Sequence, residues 1–293
     1  MRHAHLEVSG RAARDYSDIL TPAVLDTLDA LAPLDADRHA VMAARIARRA
    51  QRARDREPIG FLDPQALVPR TTIRVRDARE GRFSGSAIPG DLQRQWIQGT
   101  GPAAKPHTQV PQSIRNVAYA LLSGADGWMF DGEDALGQIE TMALDNQRNL
   151  KLAIHHDPVF LTAAEMVAAE MNRWAEGFLG RRILDDWRAQ LGFTTKIFRA
   201  RGLHLDDRHV RHASGRGLSA SMVDATLYVA HSHERLRAEG ASIVLYLPKI
   251  QTAEEAALWH DILSALERHR GLAAGSIKTY VLIEQIEACF QLM

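Results

Sequence analysis

The sequence has little cysteine and no long apolar segment, and each shortage excludes a class of protein. Among its 293 residues the single cysteine is Cys289, so no disulfide can form within the chain and a reducing compartment is expected. No run of about eighteen apolar residues exists, and the first sixteen residues lack the apolar centre of a signal peptide. These absences predict a cytoplasmic protein that does not enter a membrane.

The charges also lack a dominant sign. The 36 lysine and arginine residues balance 36 aspartate and glutamate residues, so the net charge favours neither nucleic acid nor an anionic membrane surface. A predicted helix over residues 35–56 does carry an arginine-rich face. No aromatic residues interleave with these arginines, which favours a solvent-exposed face over a nucleic-acid site; they are Arg45, Arg48, Arg49, Arg52 and Arg56.

What is present suits a globular α/β protein. Apolar residues make up 46% of the chain and charged residues 25%, which is enough to build a sizeable core. Residues 1–90 are predicted to form an N-terminal helical clasp and an irregular linker. The clasp is a hairpin of helices over 18–34 and 35–56, with Asp35 or Asp37 capping the second, and the linker holds one short strand at 72–75.

From residue 91 onward, predicted strands and helices alternate, which is typical of a parallel sheet. A long helical insertion is expected over about 155–193, between the second strand and the third. The predicted strands cover 94–98, 127–131, 194–199, 243–247 and 278–284, and the predicted helices cover 111–123, 136–190 with the insertion, 219–238, 252–270 and a stretch from 285.

Four of these strands end in a charged residue. The carboxyl ends of parallel strands meet at one edge of a sheet or barrel, which is where active sites of β/α barrels lie. The sequence therefore predicts a polar site built from strand ends. Its members are Asp131, Arg199, Lys249 and Glu284.

Four ordered segments resemble the malate synthase family, specifically its shorter A-type branch. They are Gly99-Thr-Gly-Pro102, Phe198-Arg-Ala-Arg-Gly-Leu-His-Leu205 with Arg208-His-Val210, Tyr246-Leu-Pro-Lys249, and Gly275-Ser-Ile-Lys-Thr-Tyr-Val-Leu-Ile-Glu284. The resemblance runs from about residue 17 to residue 293. It implies a TIM-type β/α barrel and a Mg²⁺-dependent condensation of acetyl-CoA with glyoxylate, followed by thioester hydrolysis to malate, as in the glyoxylate cycle.

The resemblance also implies roles for individual residues. Glu284 matches the family's glutamate ligand to Mg²⁺, since this hard cation prefers carboxylate oxygen. Arg199 matches the arginine that stabilises the enolate oxygen of acetyl-CoA, a task for a permanent fixed cation. Supporting positions that would hold metal-bound waters or substrate are Asp131, Glu133, Asp134 and Gly202.

The sequence departs from the family pattern in four ways. By resemblance, the aspartate ligand to Mg²⁺, the catalytic base and strands six to eight of the barrel would all follow residue 293. Residues 155–193 look helical where the family has a β-rich segment, and Gly132 replaces an aromatic residue. The expected product is a five-stranded partial barrel that is inactive alone and whose open edges favour self-association.

Other interpretations stay open at this stage. The chain could be a non-catalytic remnant that binds a partner, or a related acyl-CoA lyase or synthase with a different 2-oxo acid or aldehyde acceptor. Arg199 could simply pair with Asp131 or Glu133, and Glu284 with a neighbouring lysine or arginine. Arg201 and His204 are expected to organise their loop. The histidines that invite a metal interpretation are better explained as loop and helix residues; they are His155, His156, His231 and His233.

Overall fold

A five-stranded parallel sheet forms the centre of the protein. The computed structural model describes residues 4–100, 106, 109–133 and 139–292. In chain order the strands are β1 (Leu6–Val8), β2 (Trp96–Thr100), β3 (Gly127–Asp131), β4 (Thr195–Arg199), β5 (Asp206–His212), β6 (Gly217–Ser219), β7 (Ile243–Leu247) and β8 (Ile277–Val281).

The helices surround this sheet and extend to the N-terminal region. In chain order they are α1 (Gly10–Asp15), α2 (Pro22–Leu31), α3 (Leu34–Asp55), α4 (Val75–Arg79), α5 (Val110–Leu121), α6 (Met142–Ile154), α7 (Pro158–Leu179), α8 (Trp187–Phe193), α9 (Ala220–Ala238), α10 (Ala253–His269) and α11 (Ile286–Cys289). In the part of the chain that is described, no helix is long and apolar enough to cross a bilayer.

The central sheet has the strand order β2-β3-β4-β7-β8, and every pairing in it is parallel. Helices connect the successive strands, which is the β/α repeat predicted from the sequence. Among the described residues the sheet does not close on itself, so the architecture is a partial TIM-type barrel. The predicted fold class is confirmed, and all five predicted strands are present with ends shifted by at most three residues.

The inner strands β3 and β7 read as nearly continuous apolar runs because both of their faces are buried. Alternate residues point to opposite faces. Phe130 and Phe198 join the large core under the helices, whereas Met129, Ile197 and Val244 belong to a smaller cluster on the other face. That smaller cluster occupies the concave side, where the interior of a barrel would lie.

The amino-terminal ends of the strands are closed by a short 3₁₀ turn at Gly90–Leu92. Asp91 accepts hydrogen bonds from the backbone N–H and the hydroxyl of Ser242, both at 2.8 Å. Tyr280 donates to the carbonyl of Leu92 at 2.7 Å. The concave side is therefore covered at this end, and the carboxyl ends of the strands are left for a site.

A second, antiparallel sheet was not predicted. It has the order β1-β5-β6 and joins the start of the chain to the segment after β4. β1 and β6 have three residues each, and β5 has seven, of which only Asp207 and Val210 are buried. The apolar pattern that identifies longer strands is therefore missing here.

The predicted N-terminal hairpin is present as α2 and α3. Thr21 caps α2, and Pro22 occupies the first position of the helix. The predicted cap of α3 is wrong, because this helix begins at Leu34 and Pro33 precedes it. Asp35 is instead fully buried, where it pairs with Arg38 at 2.8 Å and accepts the backbone N–H of Ser219 at 3.1 Å.

The arginine-rich face of α3 is not simply solvent-exposed, which corrects the sequence interpretation. Arg45 donates to the carbonyl of Lys249 at 3.1 Å and lies 3.4 Å from Glu255. Arg52 pairs with Glu287 at 2.6 Å. Ile46, an apolar residue of the same helix, is 69% exposed. The helix therefore docks partly through its charges, close to the carboxyl ends of the strands.

The region over 155–193 is helical, as predicted, and consists mainly of α7 and α8. Two of its aromatic residues, Trp174 and Phe178, stack on each other at the surface. The strand predicted at 72–75 is wrong. That segment forms one isolated bridge between Leu67 and Arg74 before α4 begins.

Candidate active site

The charged residues that end the strands do meet at one edge of the sheet. Arg199 lies opposite Asp131 on one side and Tyr246 on the other in the strand register. Because the side chains of a strand alternate between its two faces, Arg199 lies on the concave face with Ile197. Glu284 lies four residues after Tyr280 and three beyond the end of β8. The sheet thus brings together side chains that are up to 153 positions apart in the chain.

Arg199 is the centre of this site. Its guanidinium forms ion pairs with three carboxylates: Glu133, Asp131 at 3.5 Å and Glu284 at 3.8 Å. Gln98 donates to Asp131 at 2.8 Å from the neighbouring strand. The simple salt-bridge interpretations of Arg199 and Glu284 are therefore also realised in the structure. Both residues nevertheless lie side by side at one edge of the sheet.

The charged side chains of this site are largely buried, which strengthens the interactions between them. The side chain of Glu133 is 1% exposed, that of Arg199 is 11% exposed and that of Glu284 is 23% exposed. Among the described residues Arg199 Nε is buried without a hydrogen-bond partner. The guanidinium therefore keeps one donor that a ligand oxygen could accept from.

Lys249 is the member of the site whose role sequence reasoning missed. Its ammonium lies 3.7 Å from Glu133 Oε1 and 3.6 Å from Glu284 Oε2, and its backbone N–H donates to Glu284 Oε1 at 2.8 Å. The signal for it was available, because Lys249 was one of the four charged strand ends. The resemblance implies roles only for residues that match the family's functional positions, and Lys249 is not one of them.

Tyr246 forms an aromatic wall beside these charges. The Arg199 guanidinium lies 5.9 Å from the centre of its ring. Burial raises the pKa of the Tyr246 hydroxyl; Arg199 opposes this rise, and Glu284 and Glu133 add to it. The phenol therefore stays neutral, and the ring excludes water from one side of the guanidinium.

A buried charge network holds the loop that follows Arg199. The Arg201 guanidinium donates to Asp224 through Nε at 2.9 Å and Nη2 at 2.7 Å, and to Asp207 at 2.7 Å. Arg201 is 1% exposed. The expectation that Arg201 organises its loop is confirmed, because it links the loop to α9 and to β5.

Two glycines leave room that the site needs. Gly202 is buried next to the site, and a Cβ there would lie 2.6 Å from His204 Nδ1 and 3.7 Å from the Lys249 Cβ. At Gly132 a Cβ would lie 2.9 Å from the Arg199 carbonyl and 2.7 Å from the Phe198 ring. An aromatic residue at position 132 would not fit, so Phe198 accounts for this departure from the family pattern.

The chemistry of the site suits a divalent cation only in part. Glu133 and Glu284 converge on one cationic point, the Lys249 ammonium, and carboxylate oxygens are the donors that Mg²⁺ prefers. Three or more metal-binding side chains do not cluster anywhere in the described part of the chain. The residues present therefore fit as two carboxylates of a metal site, with further ligands still required.

The sequence-predicted residues have the following positions. The structure brings together Arg199, Glu284, Asp131 and Glu133, and it places Gly202 beside Lys249. Asp134 and the Gly101-Pro102 part of the first motif lie outside the described residues. The four histidines are not gathered at this site, and His231 donates instead to the Ile19 carbonyl at 2.7 Å.

Comparisons with known proteins agree with this geometry. The family model "Malate synthase, TIM barrel domain" matches residues 195–293, which contain Arg199, Lys249 and Glu284. Malate synthase of Myxococcus xanthus (strain DK1622) is 29% identical over 97% of this chain and 46% of its own length. The glyoxysomal malate synthase of Zea mays is 30% identical over 98% of this chain and 45% of its own length.

A third relative, the bifunctional glyoxylate cycle protein of Caenorhabditis elegans, is 32% identical over 72% of this chain and 19% of its own length. The chain thus spans less than half the length of these relatives. The matches cover 72–98% of the chain. The chain is therefore a relative of the malate synthases, related to them along almost its whole length and most specifically in its barrel segment.

Proposed function

We propose that this chain carries the arginine and glutamate part of a malate synthase-like site, for the Mg²⁺-dependent condensation of acetyl-CoA with glyoxylate. The observation that supports this most is the convergence of Arg199 and Glu284, whose charged atoms lie 3.8 Å apart on non-adjacent strands. The relationship to malate synthases and the carboxylate chemistry of the site support it further. A cytosolic location is part of the proposal, given the single cysteine.

Arg199 would stabilise the enolate oxygen of acetyl-CoA as negative charge develops there. Its guanidinium is largely buried, so its field is little screened, and the three carboxylates around it fix its position before substrate arrives. The free Nε donor is the group on Arg199 that a substrate oxygen would meet.

Glu284 would be a ligand to Mg²⁺. Glu133 would lie next to the ion, and Asp131 would orient water bound to it. When bound, the cation would polarise the glyoxylate aldehyde. The chain's own residues would orient the two substrates: the Tyr246 ring excludes water on one side, and Lys249 fixes the Glu284 carboxylate through its backbone N–H.

These 293 residues include neither the aspartate ligand nor the base that the resemblance implies. We therefore expect no turnover from this chain alone. A thiol-release assay with acetyl-CoA and glyoxylate tests that expectation, and turnover by the purified chain would contradict it.

The half-site itself is tested by equilibrium binding. Titration of the chain with MnCl₂, a spectroscopic substitute for Mg²⁺, is expected to show one site whose affinity increases when glyoxylate is present. Glu284→Gln should abolish this site, whereas Glu254→Gln, an exposed carboxylate on α10, should leave it unchanged. Equal Mn²⁺ binding by Glu284→Gln and the unaltered chain would contradict the proposed function.

A further inference from the structure

We infer that the ammonium of Lys249 occupies the place of a divalent cation between Glu133 and Glu284, and that it leaves this place when the cation binds. The inference rests on the proposed function, because it concerns the same carboxylates. It adds a residue to the site and states how the site is kept ordered while no cation is bound.

The geometry identifies Lys249 as the substitute cation. Its Nζ lies 3.7 Å from Glu133 Oε1 and 3.6 Å from Glu284 Oε2, so it is almost equidistant from two carboxylates on different segments. A cation that bridged these carboxylates would occupy the same space, with Glu284 drawn in to the shorter oxygen distance of about 2.0–2.1 Å that Mg²⁺ requires. The ammonium and a divalent ion are therefore mutually exclusive there.

Charge balance explains why a resident cation is needed. Asp131, Glu133 and Glu284 surround Arg199, so one guanidinium faces three carboxylates. Two carboxylates that share a site repel each other unless a cation lies between them. Lys249 supplies that cation, and it keeps Glu133 and Glu284 facing the same point.

The backbone shows that this position is imposed on Lys249. Its φ is +58°, the left-handed conformation that is strained for a residue other than glycine. Two hydrogen bonds hold it there: its N–H donates to Glu284 at 2.8 Å, and its carbonyl accepts from Arg45 at 3.1 Å. A strained residue held from both sides at a strand end is typical of a functional position.

The side chain can leave while the backbone stays. The Lys249 side chain is 25% exposed, so its flexible stem can turn the ammonium to water without moving Pro248 or the strand. The side chain of Glu133 is 1% exposed and stays in place. A cation that enters would therefore replace the Lys249 ammonium beside the Glu133 carboxylate, which stays in place.

Amine labelling of the unaltered chain tests this exchange directly. The chain has five lysines, so acetylation by a limiting amount of N-hydroxysuccinimidyl acetate can be followed at each of them by peptide mass spectrometry. As MgCl₂ replaces NaCl at constant ionic strength, labelling of Lys249 should increase severalfold. Lys278, at the opposite end of β8, serves as the internal control and should not change.

Two variants provide an independent measurement. Lys249→Met removes the competing charge and should bind Mn²⁺ more tightly by about fivefold or more, since the Coulomb energy of a unit charge at this distance corresponds to that factor even in bulk water. Lys278→Met removes the same charge from the far end of the strand and should bind as the unaltered chain does.

Each outcome decides between the two claims. If Mn²⁺ binds through Glu284 but Lys249 labelling does not increase and Lys249→Met binds no more tightly, the exchange is wrong and the proposed function stands. If neither the unaltered chain nor Lys249→Met binds Mn²⁺, both are wrong. Increased labelling together with tighter binding by Lys249→Met supports the exchange.

Discussion

The side chains of Arg201 and Asp224 meet inside the protein as a two-bond ion pair. Nε and Nη2 of the arginine donate to the two oxygens of the aspartate at 2.9 and 2.7 Å, and the Arg201 backbone N–H donates to the same carboxylate at 2.9 Å. The pair fixes the loop after Arg199 to α9. One residue, Ala200, separates Arg201 from the candidate catalytic arginine, Arg199.

Removal of Arg201 should therefore destabilise the protein strongly. Arg201→Met leaves Asp207 and Asp224 buried without their cation, which is expected to lower the free energy of unfolding by about 3–5 kcal/mol. Urea denaturation measures this loss. Arg208→Met, an exposed arginine on the same segment, should change stability by less than about 0.5 kcal/mol. Equal effects of the two variants would show that the buried pair is not the support of this loop.

Gly132 should not accept even a methyl group. Gly132→Ala would place Cβ against the Arg199 carbonyl and the Phe198 ring, and overpacking of this kind is expected to cost about 1–3 kcal/mol. Gly177→Ala is the matched control, because Gly177 lies in α7 with open space around it and should gain about 0.5–1 kcal/mol. Thermal unfolding of both variants provides the comparison, and a neutral Gly132→Ala would contradict the close approach.

Stability should fall as the pH drops below about 6.5. Burial lowers the pKa of His231, which donates to the Ile19 carbonyl, so the folded protein resists a proton that the unfolded chain accepts. Burial likewise lowers the pKa of His39 and His156. A group with a lowered folded-state pKa stabilises the fold above its unfolded pKa, and this contribution is lost on acidification through the folded pKa.

The effect is measured by urea unfolding at several pH values between about 7.5 and 5, an interval that includes the ordinary pKa of histidine, about 6.5. His231→Gln keeps a donor for Ile19 and should reduce the dependence of stability on pH. His269→Gln, an exposed histidine at the end of α10, is the control. An unchanged pH profile in His231→Gln would exclude this histidine as the cause.

The edges of the sheet should promote self-association. Among the described residues β2 pairs only with β3 and β8 only with β7, and both edge strands carry exposed apolar side chains, Ile97 at 39% and Val281 at 44%. Unpaired parallel edges attract further strands, and an edge lysine blocks such pairing. Light scattering after size exclusion should show concentration-dependent oligomers that Val281→Lys reduces. Val159→Lys, of equal exposure on α7, should not, and a monomer at all concentrations would refute this expectation.

The sequence predicted the central sheet well, because strands buried on both faces are continuous apolar runs. It also predicted that these charged side chains meet, because the carboxyl ends of parallel strands lie at one edge of a sheet. Asp131 and Arg199 are 68 positions apart in the chain, yet they are neighbours in the register. The prediction that these two residues lie close together depended only on the strands being parallel.

What could not be predicted depends on tertiary contacts that leave no local pattern. β1 and β6 have only three residues each and β5 has a single apolar residue, and their buried side chains pack in a core cluster that α2 and α9 complete. Arg45 and Asp35 have partners more than 150 positions away, so neither a helical wheel nor a capping rule reveals their burial. The role of Lys249 likewise depends on two carboxylates from distant segments.

The most direct test of the central claim is the location of a bound cation in crystals of this chain grown with MnCl₂ and glyoxylate. An anomalous-scattering map should show one Mn²⁺ ion bonded to the Glu284 carboxylate, beside Glu133 and Arg199, with the Lys249 ammonium displaced. An ion bound elsewhere, or a structure in which Arg199 and Glu284 do not face one pocket, would contradict the account.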